Sequence, residues 1–282
     1  MPNKKLLAYR NYSGIGDWLM GLTVLKMVNQ QYPDMEIYLN LTAKNAHKHQ
    51  KQYKVVSPFI REIVKNFDVN ITGVTFFENV KTHMNEFDYV SNLKYHKREG
   101  VNYIESMVNS FNRFTGLSLQ YDPAVYSQYQ GEAKKLINEP YILIQACSKR
   151  NHQYPAWKDY GVKNMQQLVN RLKHKYKFYQ IGGRNGPTLD GVIKHFRELS
   201  LNELHSIVFN CQAFIGLDGM LGVYAAHNNV RQYIIYTGKF NMNWTNFPNR
   251  LQINGNENDN QTISQLIIND LGVNRVETKA AA

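Results

Sequence analysis

Residues 6–41 decide the fold: LLAYR (6–10), SGIGD (13–17), an amphipathic run from Trp18 to about Val28, and MEIYLNL (35–41) read as strand, tight turn, helix and strand. An apolar strand that hands over to a helix and returns as a second strand is a βαβ unit, and βαβ units build parallel sheets. Further strands are expected at GVTFF (73–77) and FDYVSNL (87–93). Helices are expected from Val56 to Phe67, started by Ser57 and Pro58, and from Asn102 to Thr115, stopped by Gly116. The polar, Tyr- and Gln-rich stretch LQYDPAVYSQYQGEAKKLINEP (119–140) reads as a linker between domains 1–137 and 138–282.

After the linker the rhythm restarts. YILIQAC (141–147), a helix from about Lys163 to His174, KFYQIGG (177–183), a helix within LNELHSIVFNC (201–211), AFIGL (213–217), a small-residue helix and VRQYIIYTG (230–238) follow in turn. NGNENDNQT (254–262) reads as a loop, and a last helix is expected to stop at Gly272, leaving the terminal KAAA as tail. The expected fold class is α/β, with two Rossmann-like doubly wound parallel sheets, each covered by helices on both faces.

Composition narrows the class further. In 282 residues, 43% hydrophobic and 12% aromatic content excludes a disordered, collagen-like or coiled-coil chain. No apolar run reaches the roughly 18 residues of a membrane helix, and Arg10 interrupts the short N-terminal one, so neither a spanning segment nor a signal peptide is expected. Two cysteines without a CxxC argue against a disulfide scaffold or thiolate zinc site and point to a reducing, cytoplasmic home. The net charge of +11 is shared by both halves of the chain and suggests an anionic partner.

Three clusters lie where expected strands end, the edge at which open α/β sheets bind ligands. The first is Ser13, Gly14, Ile15, Gly16 and Asp17, whose helix N-terminus could face a phosphate; it lacks the third glycine of a dinucleotide fingerprint, and capping alone would also explain Asp17. The second is Ser148, Lys149, Arg150, Asn151 and His152, with Trp157 and Lys158 close behind, three cations that suit a diphosphate. The third is Asp218, Gly219, Met220, Leu221 and Gly222, a close backbone approach to an anion with Asp218 placed to accept bonds from hydroxyls.

GIGDWLMGLTVLKMV, YILIQACSKRNHQYPAWKDY, KFYQIGG and above all LSLNELHSIVFNCQAFIGLDGMLGVYAA resemble the heptosyltransferase-like family of glycosyltransferases. The resemblance implies the GT-B architecture, with acceptor on the N-terminal domain and nucleotide-sugar donor on the C-terminal one, and an inverting transfer that uses no metal or cofactor. By position it implies that Asp17 is the general base. Ser148, Lys149, Arg150 and Lys158 would neutralise the leaving diphosphate, while Gly182, Asp218, Gly219, Met220, Gly222 and Thr237 would surround the donor. The Ser, Gly and His of the family's DSGPxH turn fall on Gly219, Met220 and Val223, so any contact made by that His is lost or moved, with His227 as a candidate. No DxD, HxxxH or HExxH occurs, in keeping with the expected metal independence.

Gly14, Gly16, Lys94, Lys97 and Arg98 are the expected acceptor-side residues. Lys44, His47, Lys48, Lys51 and Lys54 would form a basic face if their segment were helical. An anionic lipopolysaccharide or other surface glycan is the acceptor the family implies. Hydroxymethylated DNA, as for a phage-type enzyme, suits the charge as well. A non-catalytic nucleic-acid-binding α/β protein is the alternative of another class, and the oligomeric state is open.

Overall fold

The structure is a computed structural model that describes residues 3–10, 14–44, 53–55, 57–95, 101–146, 160–183, 186–237 and 247–280. The chain forms two compact units, one running through Gly131 and the other beginning at Glu132.

The first unit contains β1 (Lys5–Tyr9), α1 (Ile15–Gln31), β2 (Glu36–Asn40), β3 (Thr42–Lys44), β4 (Tyr53–Val55), α2 (Pro58–Asn66), β5 (Gly73–Thr75), a 3-10 turn (Val80–Glu86), β6 (Tyr89–Asn92) and α3 (Tyr103–Thr115). Its four-stranded sheet has the order β5-β2-β1-β6 with every neighbour parallel. Leu6, Leu7 and Ala8 are all inaccessible, so both faces of β1 are covered, as a parallel sheet requires. Ser57 caps α2 by accepting from the Ile60 amide, Pro58 fills the first turn, and Gly116 closes α3 in the left-handed conformation. β3 and β4 pair antiparallel, which corrects the helical reading of residues 44–54: Lys44 and Lys54 lie on facing strands, while His47, Lys48 and Lys51 are outside the described residues.

The second unit contains β7 (Ile142–Ile144), α4 (Val162–Leu172), β8 (Phe178–Ile181), β9 (Lys194–Phe196), α5 (Leu201–Phe209), β10 (Ala213–Gly216), α6 (Met220–His227), β11 (Gln232–Tyr236), β12 (Arg250–Asn254) and α7 (Asn260–Ala280). Its six parallel strands run β12-β11-β10-β7-β8-β9. Ile142, Ile144, Ile215, Tyr233 and Ile235 pack on one face with Met165, Leu168 and Leu172 of α4 and with Ile263, Ile267 and Leu271 of α7. The alternate residues Leu143, Phe214 and Ile234 are buried too, so helices cover both faces. Two strands were not expected, β9 and β12, and α7 runs past Gly272.

The stretch read as a linker is packed rather than loose. Ser127 is inaccessible against Thr23 of α1, Tyr129 bridges Phe67, the Lys134 amide donates to Ser206 at 3.1 Å, and Glu139 accepts from the Tyr179 hydroxyl at 3.1 Å.

A capping box starts α5: Ser200 Oγ accepts from the Glu203 amide, and the Glu203 carboxylate accepts from the Ser200 amide. Ser200→Ala is expected to lower stability by about 1 kcal/mol in urea unfolding at pH 7. Bonds from Ser200 hold the Glu203 carboxyl below its ordinary range. Its contribution is therefore present above that range and fades as pH falls through the lowered value, so the gap between variant and parent narrows in acid.

Candidate functional site

In each unit the strand order reverses once, between β1 and β6 and between β7 and β10. Helices leave such a point in opposite directions and open a crevice at the carboxyl ends of the two strands. Gly14, Gly16, Asp17 and Lys94 stand at the first reversal, and Asp218, Gly219, Met220 and Gly222 at the second. Thr237 directly follows β11, which lies beside β10, and Gly182 directly follows β8, which lies beside β7. Ser148, Lys149, Arg150 and Lys158, and Lys97 and Arg98 on the acceptor side, lie outside the described residues.

At the first reversal Gly14 is the N-cap of α1, and its carbonyl accepts from the Trp18 amide at 3.1 Å. Asp17 is the third helical residue, and its carboxylate folds back over the cap: a Cβ on Gly14 would stand 2.5 Å from Asp17 Oδ2. The same oxygen is 3.5 Å from Nη2 of Arg10, the residue that follows β1. The Asp17 side chain is 24% exposed and that of Arg10 3%, so the acid is partly open to solvent while the arginine beneath it is covered.

Arg10 also donates to the Leu93 carbonyl, lies 5.9 Å from the Tyr95 ring and has Met107 Sδ at 3.9 Å, while its Nε has no hydrogen-bond partner among the described residues. Burial lowers its pKa, and Asp17 and then Tyr95 oppose that shift. Lys94 does not join this pair; its ammonium sits over the Phe114 ring, 5.0 Å from the centroid.

At the second reversal Asp218 is 6% exposed. Its Oδ1 is 3.3 Å from Nη1 of Arg250, at the start of β12. Arg250 stacks over Phe247 at 4.6 Å and donates to Gln232 at 3.2 Å. Gly222 provides the space, since a Cβ there would stand 3.0 Å from Arg250 Nη2 and 3.2 Å from Ile234.

Gly219 has an extended backbone with none of the described residues within 4 Å of an added Cβ, so neither its conformation nor these neighbours demand a glycine there. The first helical bond of α6 runs from the Val223 amide to the Gly219 carbonyl, leaving the amides of Met220, Leu221 and Gly222 to point out of the positive end of the helix.

His227 is the candidate to take over from the family histidine. It ends α6, about 10 Å along the helix from Met220, and is buried with its ring 6.3 Å from Phe247. Gly182 packs towards β9, where an added Cβ would stand 3.0 Å from His195 Nε2. Among the described residues no three His, Cys, Asp or Glu side chains cluster as metal ligands would, and no helix is long and apolar enough to cross a membrane.

Sequence reasoning missed both arginines. A charge at the edge of an apolar strand was the available signal, because such a residue is either a solvated terminus or a buried ion with a partner. The two glycines of the second reversal can be told apart by stability. Gly222→Ala is expected to cost about 1–3 kcal/mol by overpacking against Arg250, and Gly219→Ala to stay within about 0.5 kcal/mol of the parent, both read from denaturant unfolding.

No protein-family model matches the chain, and no curated protein sequence does. Solved structures do match. The ADP-heptose lps heptosyltransferase II of E. coli has a TM-score of 0.69 at 12% identity, over 96% of this chain and 99% of that one. A glycosyl transferase family 9 protein from Veillonella parvula has 0.68 at 10% identity, over 91% and 88%. The E. coli heptosyltransferase WaaC with ADP has 0.61 at 13% identity, over 94% and 97%. At such identities the likeness establishes the fold: two parallel-sheet α/β units of the kind from which heptosyltransferases are built.

Proposed function

We propose that the protein is a glycosyltransferase that moves a sugar from a nucleotide-sugar to an acceptor hydroxyl, with inversion and without a metal ion. The observation that carries this reading is the Asp17 carboxylate, partly open to solvent at the carboxyl end of β1 and held on one side by Arg10. Its position is the one the family resemblance gives to the general base, and the shared fold supports that resemblance.

In the proposed reaction Asp17 takes the proton of the acceptor hydroxyl as that oxygen attacks the anomeric carbon. The bond from that carbon to the diphosphate breaks on the opposite side, and the nucleoside diphosphate leaves with the electron pair. The second unit receives it. The N-terminal amides of α6 face the growing negative charge, joined by Ser148, Lys149, Arg150 and Lys158. Asp218, anchored by Arg250, stands beside the donor sugar, with Gly182 and Thr237 at the flanking strand ends. An adenine nucleotide is the first donor to try, because the structure of WaaC holds ADP.

The net charge of +11 supports an anionic acceptor, a phosphorylated surface glycan in the first place, approached through Lys94, Lys97 and Arg98. The same charge favours hydroxymethylated DNA as the second reading, for which acceptor affinity would fall steeply with salt.

Asp17→Asn is expected to lower turnover by about 10²–10⁴-fold while donor affinity, read by calorimetry, stays within about twofold; EDTA leaves both unchanged. Undiminished turnover in this variant would exclude Asp17 as the base, and strict dependence on a divalent cation would exclude the metal-free reaction.

A further inference from the structure

Arg10 is an expensive residue for the fold to keep. A guanidinium removed from water loses its hydration, and replacing a buried ion pair with apolar side chains is often neutral or stabilising. Arg10 is 3% exposed, and among the described residues its Nε has no hydrogen-bond partner to offset that loss. Its bond to the Leu93 carbonyl ties β1 to the end of β6, but a neutral donor would do the same. The Tyr95 ring and Met107 sulfur carry no charge that calls for a cation. Among the described residues Asp17 is the one carboxylate that Arg10 meets.

Two features act on one oxygen. The missing Cβ of Gly14 lets Asp17 Oδ2 fold back over the helix cap, and Arg10 Nη2 meets that oxygen from the buried side. The helix sets only the Asp17 Cα; without the guanidinium the side chain has its other rotamers. We propose that Arg10 is a positioning residue for transfer, fixing the Asp17 carboxylate in the orientation from which it accepts the acceptor proton. The inference rests on the reading of Asp17 as base. Because Arg10 is covered, it acts through Asp17 and touches no substrate.

The test is a double-mutant cycle on the full chain with Arg10→Met, Arg10→Lys, Asp17→Asn and Arg10→Met/Asp17→Asn. ADP release from ADP-heptose with a lipopolysaccharide core is the readout, and circular dichroism reports folding. Arg10→Met is expected to lower kcat about 10- to 100-fold with donor KM within about twofold, and Arg10→Lys to recover part of the loss. On the Asp17→Asn background Arg10→Met is expected to cost less than about twofold, because its route of action is already gone.

An unchanged kcat in Arg10→Met, or the same fold-loss with and without Asp17, overturns the inference and leaves the general base standing. Full turnover in Asp17→Asn overturns both. If Arg10→Met does not fold, Gly14→Ala displaces the same oxygen at a backbone φ of −66° that alanine adopts readily. It is then expected to lower kcat with donor KM unchanged, and wild-type kcat in that variant overturns the inference.

Discussion

A guanidinium taken out of water has to be met by a carboxylate, and each unit of this chain builds its strand reversal around such a meeting. Arg10 pairs with Asp17 at the end of β1, and Arg250 pairs with Asp218 at the end of β10. In both, a glycine supplies the room: Gly14 for the carboxylate, Gly222 for the guanidinium. The sheets place these residues, because a parallel sheet buried on both faces offers its polar groups only at the strand ends. The surrounding core covers both guanidiniums, with side-chain exposures of 3% for Arg10 and 0% for Arg250.

The two pairs nevertheless differ in exposure, and the difference follows the proposed division of labour. Asp17 keeps a quarter of its side chain open, as a group that must reach an acceptor hydroxyl requires. Asp218 is nearly closed over and reads as an anchored support for the donor pocket rather than a reacting acid. The departures from the family turn fit this view in part. Val223 is buried where the family has histidine, and His227 is buried at the end of α6.

The βα rhythm was legible because long apolar strands and amphipathic helices carry their period in the chain. Ser57–Pro58 and Gly116 bounded their helices for reasons of capping and backbone conformation that need no tertiary context. β9 and β12 were not legible. KHF and RLQIN are short, mixed edge strands, and pairing with β8 and β11 defines them rather than their own pattern. The basic spacing of residues 44–54 suggested a helix, whereas Lys44 and Lys54, at its described ends, lie in antiparallel strands. The polar stretch 119–140 looked loose because its partners, Thr23, Phe67, Ser206 and Tyr179, are remote in sequence. Arg250 was hidden for the same reason, since 32 residues separate it from its acid; Arg10 stands close to Asp17 in sequence, but its burial beside that carboxylate shows only once β1 and α1 are packed.

The central claim is that the strand reversal of the second unit receives the leaving nucleotide. A crystal structure of the protein with ADP tests it directly. The account predicts the diphosphate against the amides of Met220, Leu221 and Gly222 at the start of α6, with the nucleoside along the carboxyl ends of β7, β10 and β11. ADP seated instead in the groove of about 1100 Å³ at the β9 edge, between Leu136, Tyr179, Arg197 and Glu203, would contradict it.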